Sequence, residues 1–85
     1  MAVRSVSFTK QALKALRRMP ANTAATIRAK IDQYARDPAS LANNVVRLQG
    51  REGYRLRVGD WRVIFDDDGV VLAILDVGPR GGIYD

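Results

Sequence analysis

Tyr54-Arg55-Leu56-Arg57-Val58 alternates apolar and basic side chains, and after Gly59-Asp60 the alternation returns in Trp61-Arg62-Val63-Ile64-Phe65. A period of two on both sides of a Gly-Asp pair is the pattern of a β-hairpin closed by a two-residue turn. Such a turn pairs Val58 with Trp61, Arg57 with Arg62, Leu56 with Val63 and Arg55 with Ile64. Successive side chains of a strand point to opposite faces. Tyr54, Leu56, Val58, Trp61, Val63 and Phe65 therefore share the face that must be buried, and Arg55, Arg57 and Arg62 share the other. Like charges directly opposite across a hairpin are destabilising, so Arg57 against Arg62 calls for a nearby acid or an anionic ligand. A hairpin alone is marginal in water. The rest of the chain must cover its apolar face.

The cover comes from the N-terminal half. Val3–Phe8 is β-favouring, and Thr9 fits the N-cap of a helix. From Lys10 onward Ala12, Leu13, Ala15, Leu16 and Met19 follow helical spacing, until Pro20 closes the helix. A second helix is expected from Ala21–Thr23 to Arg36, with Ile27, Ile31 and Tyr34 on one side and Asp37-Pro38 ending it. The short joint predicts an antiparallel helical hairpin. Residues 39–53 read as a connection anchored by Val45, Val46 and Leu48. The apolar run Val70–Leu75 reads as a strand buried on both faces, hence central in its sheet. The order is β-α-α-β-β-β: an α+β fold with one antiparallel-rich sheet and a two-helix hairpin on one face. At 85 residues the chain is expected to be a single domain, 1–85.

One parity stays open. If Asp67–Gly69 is a three-residue turn, Arg62 pairs with Ile74, and Leu72, Ile74, Asp76, Gly78 and Arg80 project on the arginine face. If the loop is Asp68-Gly69 alone, that parity flips.

Composition removes whole classes of chemistry. The chain has no Cys and no His, so disulfides, thiolate catalysis, iron–sulfur clusters, Cys/His zinc sites and a His general base are excluded. No cofactor or metal is expected. Residues 1–36 carry eight bases against the single acid Asp32, and residues 37–85 carry six arginines against eight acids. A net charge of +5 and a pI near 10.2 point to a polyanionic partner. Eleven of the fourteen bases are Arg, the side chain suited to bidentate phosphate contact. No apolar run reaches membrane-spanning length, and Met1-Ala2-Val3-Arg4-Ser5 lacks the apolar region of a signal peptide. A cytoplasmic protein without membrane contact is expected.

The chain resembles the RelE/ParE superfamily of bacterial toxins from type II toxin–antitoxin systems. The likeness rests on the order of elements and on Leu48-Gln49-Gly50, Gly53-Tyr54-Arg55-Leu56-Arg57, Gly59-Asp60-Trp61-Arg62-Val63-Ile64-Phe65, and Gly78-Pro79-Arg80 with Ile83-Tyr84. It covers nearly the whole chain. RelE-type members cut mRNA on the ribosome without metal: the substrate's own 2′-hydroxyl attacks the adjacent phosphorus and leaves a cyclic phosphate. The resemblance implies that Arg62 and Arg80 stabilise the phosphate and that Tyr84 is the C-terminal catalytic tyrosine. Arg55 and Arg57 fall where RelE-type enzymes carry basic RNA-binding residues. It implies as partners the ribosome, mRNA and a cognate antitoxin with an acidic, amphipathic segment. Pro79 stands where many relatives have His or Lys, and Gly81-Gly82 where charged residues are usual. These departures favour the other reading within the superfamily, a ParE-like poison of DNA gyrase without nuclease activity. A third reading is an inactive relative or a plain nucleic-acid-binding module.

Overall fold

In the computed structural model, which describes residues 3–82, the chain runs β1 (Ser5–Phe8), α1 (Lys10–Arg18), α2 (Ala21–Arg36), a 3-10 segment (Pro38–Asn44), β2 (Val45–Arg47), β3 (Tyr54–Val58), β4 (Trp61–Asp67) and β5 (Val71–Pro79). Thr9 caps α1: its side chain accepts from the Ala12 N–H at 3.1 Å, satisfying one of the donors a helix start leaves open. Pro20 stands at the N-cap of α2, and Asp37 ends that helix before Pro38.

The strands form one five-stranded sheet in the order β1-β5-β4-β3-β2. Only β1 runs parallel to its neighbour β5; the other pairings are antiparallel. The fold is therefore α+β with a mostly antiparallel sheet, as the order of elements implied. It has one strand more than the pattern predicted. Val45–Arg47, expected to be part of a connection, pairs with β3 through Val45↔Leu56, Val46↔Arg55 and Arg47↔Tyr54. Three residues are too few to display a period of two, and their pairing to β3 is a tertiary effect.

The core lies between the helices and one face of the sheet. Ala12, Leu16 and Met19 of α1 and its end, Ile27, Ile31, Tyr34 and Ala35 of α2, and Leu56, Val58, Val63, Phe65, Leu72, Ile74 and Val77 of the sheet form one buried cluster. Phe65 sits at its centre, with its ring 5.0 Å from Tyr34 and 5.4 Å from Tyr54. Burial pushes the Tyr34 phenol above its ordinary value, and the charge of Asp67 adds to the effect. Asp67 itself is held by Arg4, whose Nε lies 2.6 Å from its Oδ1, which ties the chain before β1 to the end of β4.

β5 has neighbours on both sides, as expected of the apolar run, but it is not buried on both faces. Leu72 and Ile74 are buried, whereas Val71, Ala73 and Leu75 are half-buried and Val70 is 70% exposed. The register also differs from both turn lengths considered. Asp67 pairs with Leu72 and Phe65 with Ile74; then Ile64 pairs with Asp76, leaving Leu75 unpaired. Leu75 is the extra residue of a β-bulge. Arg62 therefore faces Gly78, not Ile74.

Candidate nucleic-acid interface

The β3–β4 hairpin has the pairing its alternation dictates: Val58↔Trp61, Arg57↔Arg62, Leu56↔Val63, Arg55↔Ile64 and Tyr54↔Phe65. Gly59 closes it at φ 58°, and no non-glycine residue has positive φ among the described residues. A left-handed glycine at the first central position is the pattern of a type II′ turn, whose twist matches that of the strands it joins.

On the face away from the core the ladders line up two rows. One runs Arg57, Arg62, Gly78; the other runs Val46, Arg55, Ile64, Asp76. Directly opposed residues of antiparallel strands have Cβ atoms about 4.5–5.5 Å apart. Arg80 stands opposite Asp60, two residues along the chain from Gly78, and its N–H donates to the Asp60 carbonyl at 2.7 Å, one step past the end of both strands. Arg57, Arg62 and Arg80 thus lie toward the closed, turn end of the hairpin, with Arg55 one row further from it. Gly78 adds no side chain between them.

The four arginines are not alike. Arg57 and Arg80 are exposed, Arg55 is half-buried, and Arg62 is only 8% exposed. The Nη1 of Arg62 donates to the carbonyls of Gly59 at 3.1 Å and of Trp61 at 3.0 Å. Its guanidinium is therefore anchored on its own turn, a positive charge held in place beside the exposed side chains of Arg57 and Arg80. Ile64, between Arg55 and Asp76 in the register, is fully buried as well, outside the main core cluster.

The surroundings of the bulge hold this face in place. Thr9 Oγ1 donates to the Leu75 carbonyl at 2.6 Å, and Gln11 Nε2 donates to Asp76 Oδ2 at 2.7 Å. Asp76 Oδ1 accepts from the Val77 N–H at 2.8 Å. Beyond Phe8↔Ile74, β5 has no β1 residue beside it in the register. There Val77 is satisfied by a side chain and Pro79 has no N–H, so this strand edge resists pairing with another chain.

Residues 6–84 match the family described as the ParE toxin of type II toxin–antitoxin systems, parDE. The chain belongs to that family. The RelE–RelB complex from the archaeon Pyrococcus horikoshii OT3 contains a chain with 30% identity and a TM-score of 0.76, covering 95% of this toxin and 99% of its own length. The toxin–antitoxin complex RelBE2 from Mycobacterium tuberculosis gives 23% identity and a TM-score of 0.78 over 93% and 100% of the two chains. The intact RelBE complex of E. coli gives 21%, 0.72, 91% and 96%. None of the curated proteins matches the chain. The resemblance to the RelE/ParE superfamily is borne out, in family and in fold.

Of the site residues expected from the sequence, Arg55, Arg57, Arg62 and Arg80 lie on this family member's sheet face or at its end. Tyr84 lies outside the described residues. Sequence reasoning did not identify Gly78 as the partner of Arg62, nor Asp60 as the backbone partner of Arg80, because both depend on the bulge. Two grooves lie elsewhere: one of about 240 Å³ lined by Thr23, Thr26, Ile27, Val58, Gly59 and Trp61, and one of about 490 Å³ between α2 and the 3-10 segment. Neither is lined by the arginines. Among the described residues no cluster of acids is placed to hold a metal ion, and no helix is long and apolar enough to cross a membrane.

Proposed function

We propose that this toxin cleaves mRNA on the ribosome, using the arginine face of the β3–β4 hairpin to hold the RNA backbone. The observation that carries the reading is the row Arg57, Arg62, Gly78, with Arg80 one step beyond. Like charges opposed across a ladder repel, and a phosphodiester laid over them would offset that charge and give the exposed Arg57 and Arg80 charge-assisted hydrogen bonds. In this reading the RNA 2′-hydroxyl attacks the neighbouring phosphorus. The P–O5′ bond breaks, leaving a 2′,3′-cyclic phosphate and a 5′-hydroxyl. The nucleophile belongs to the substrate, so the protein needs neither His nor Cys. It supplies orientation and charge to offset what develops on the phosphoryl oxygens. Arg62, already anchored, is the preorganised part; Arg57, Arg55 and Arg80 close on the backbone. Tyr84 is the candidate proton acceptor, a role it takes from the resemblance alone.

The partner that restrains the activity in this reading is a cognate antitoxin with an acidic, amphipathic segment. Support comes from the three related structures, each a toxin–antitoxin complex. The second reading, inhibition of DNA gyrase, is favoured by the burial of Arg62 and by Pro79 and Gly81-Gly82, which leave fewer polar groups beside Arg80. One experiment separates the two: add the purified toxin to a translation extract, map mRNA 5′ ends, and run a gyrase supercoiling assay in parallel. New codon-phased ends that vanish in Arg80→Ala and slow in Tyr84→Phe support the nuclease. Intact mRNA with inhibited supercoiling overturns it.

A further inference from the structure

The outward side of α1 carries a second concentration of positive charge that the sheet site does not use. Lys10, Lys14, Arg17 and Arg18 are all exposed, and at 100° per residue they fall within about a quarter-turn of the helix surface. The helix contains no acid at all. None of the four takes part in an ion pair among the described residues. Arg17 and Arg18, in the last turn, suit the negative end of the helix dipole, but the rest of the pattern does not serve the helix. Lys10–Lys14 and Lys14–Arg18 are like-charge pairs at i,i+4, which destabilise a helix, and Lys10 sits at the positive end of the helix dipole. Beside the stripe, Arg28 of α2 is held over the Phe8 ring at 5.1 Å, two residues before Lys10. Gln11 bonds to Asp76, which stands in the same cross-strand row as Arg55. The helix stripe and the arginine face therefore adjoin along β5.

We propose that this face of α1 is an anchor for the phosphate backbone of RNA, separate from the arginine rows of the sheet. It rests on the RNA-cleaving reading only for the identity of the polyanion. A nucleic acid fits it better than an acidic peptide. Ala12 and Leu16 are buried and Ala15 packs against the core, while Leu13, half-buried, borders the stripe on its Arg17 side. Between the four bases there is no apolar anchor of the kind that dominates protein–protein affinity. Phosphate backbones need none, because counterion release supplies the binding energy.

The test uses the full chain and a fluorescent oligouridylate of about 20 nucleotides with 2′-O-methyl groups, which lacks the nucleophile and so cannot be cut. Affinity is measured by anisotropy across a salt series for the parent and for the variant carrying Lys10→Gln, Lys14→Gln, Arg17→Gln and Arg18→Gln, with circular dichroism to confirm folding. Four lost phosphate contacts on a single strand should reduce the slope of log K against log salt by about 2–3. That change corresponds to a loss of about 100-fold or more at 0.1 M salt. Arg57→Gln is the comparison: it should lower the slope by less than 1, as expected for one contact. An unchanged slope in the folded quadruple variant overturns the anchor. So does retained RNA binding combined with lost binding to polyglutamate, which would make the stripe a protein-docking face. A parent that binds through the stripe yet leaves mRNA intact in extract would remove the nuclease reading and leave the anchor standing.

Discussion

Arg57→Thr should make this protein more stable while weakening the RNA binding proposed for it. Arg57 and Arg62 face each other across the β3–β4 ladder, with Cβ atoms about 4.5–5.5 Å apart. If the two guanidinium groups splay to about 8 Å, Coulomb's law in bulk-water dielectric gives about 0.5 kcal/mol of repulsion. Arg62 is buried, so the local dielectric is lower and the upper end of cross-strand effects, about 1 kcal/mol, sets the bound. Thr is itself well suited to a strand, so the replacement introduces no backbone penalty. The expected gain is about 0.2–1 kcal/mol, which for a domain of this size raises the melting temperature by about 1–8 °C.

Propensity and charge relief both contribute to that gain, and salt separates them. The Debye length falls from about 10 Å at 0.1 M to about 3 Å at 1 M. Over 8 Å the screened repulsion at 1 M is about one-sixth of that at 0.1 M. Thermal melts of parent and variant at the two salt concentrations should therefore show a gain that shrinks as salt rises, while anisotropy shows weaker oligonucleotide binding. A variant less stable than the parent, or a gain indifferent to salt, refutes the argument that Arg57 and Arg62 repel across the ladder.

Arg62→Ala should behave in the opposite sense. It removes two charged hydrogen bonds to the turn and should cost about 1.5–3 kcal/mol, measured by urea unfolding, so its loss of activity must be read against Arg62→Lys. Gly53→Ala should destabilise by about 1–3 kcal/mol, because Gly53 has φ 114° and an added Cβ would lie 3.1 Å from both the Phe65 carbonyl and Asp66 Oδ1. The Asp68 carboxylate accepts the N–H groups of Val71 and Val70, which hold it below its ordinary 3.8. Its folded value is depressed, so its contribution is present above about pH 4 and is lost as the pH falls through the folded value. Acid titration of stability should be shallower below pH 4 in Asp68→Asn, which keeps an acceptor for the turn but no titrating group.

Much of this could be read from the sequence because the signals were local. The hairpin register followed from a period of two around Gly59-Asp60, and Thr9, Pro20 and Asp37-Pro38 marked the helix ends where the structure places them. What escaped was non-local. Val45–Arg47 is a strand only because Leu56, Arg55 and Tyr54 lie beside it. The depth of Arg62 depends on carbonyls that its own turn presents. The parity of β5 could not be read at all, since Val70–Leu75 is apolar throughout and shows no alternation from which to count.

The bulge at Leu75 is what lets one strand serve two masters. Strict alternation that sends Leu72 and Ile74 into the core would also send Asp76, Gly78 and Arg80 there, burying two charges and leaving Arg62 beside an apolar side chain. One extra residue reverses the parity: Val77 enters the core, and Asp76 and Gly78 come to the arginine face. The ladder loses regular pairing at that point, and side chains make it good, with Thr9 on the Leu75 carbonyl and Asp76 on the Val77 N–H. Thr9 is at the same time the cap of α1. The start of the basic helix and the turn of β5 toward the arginine rows are thus fixed by one hydroxyl, which both accepts from the helix and donates to the bulge. That coupling fixes the two positively charged surfaces relative to each other, the condition that the proposed RNA anchor and the proposed cleavage face need if they are to engage one strand together.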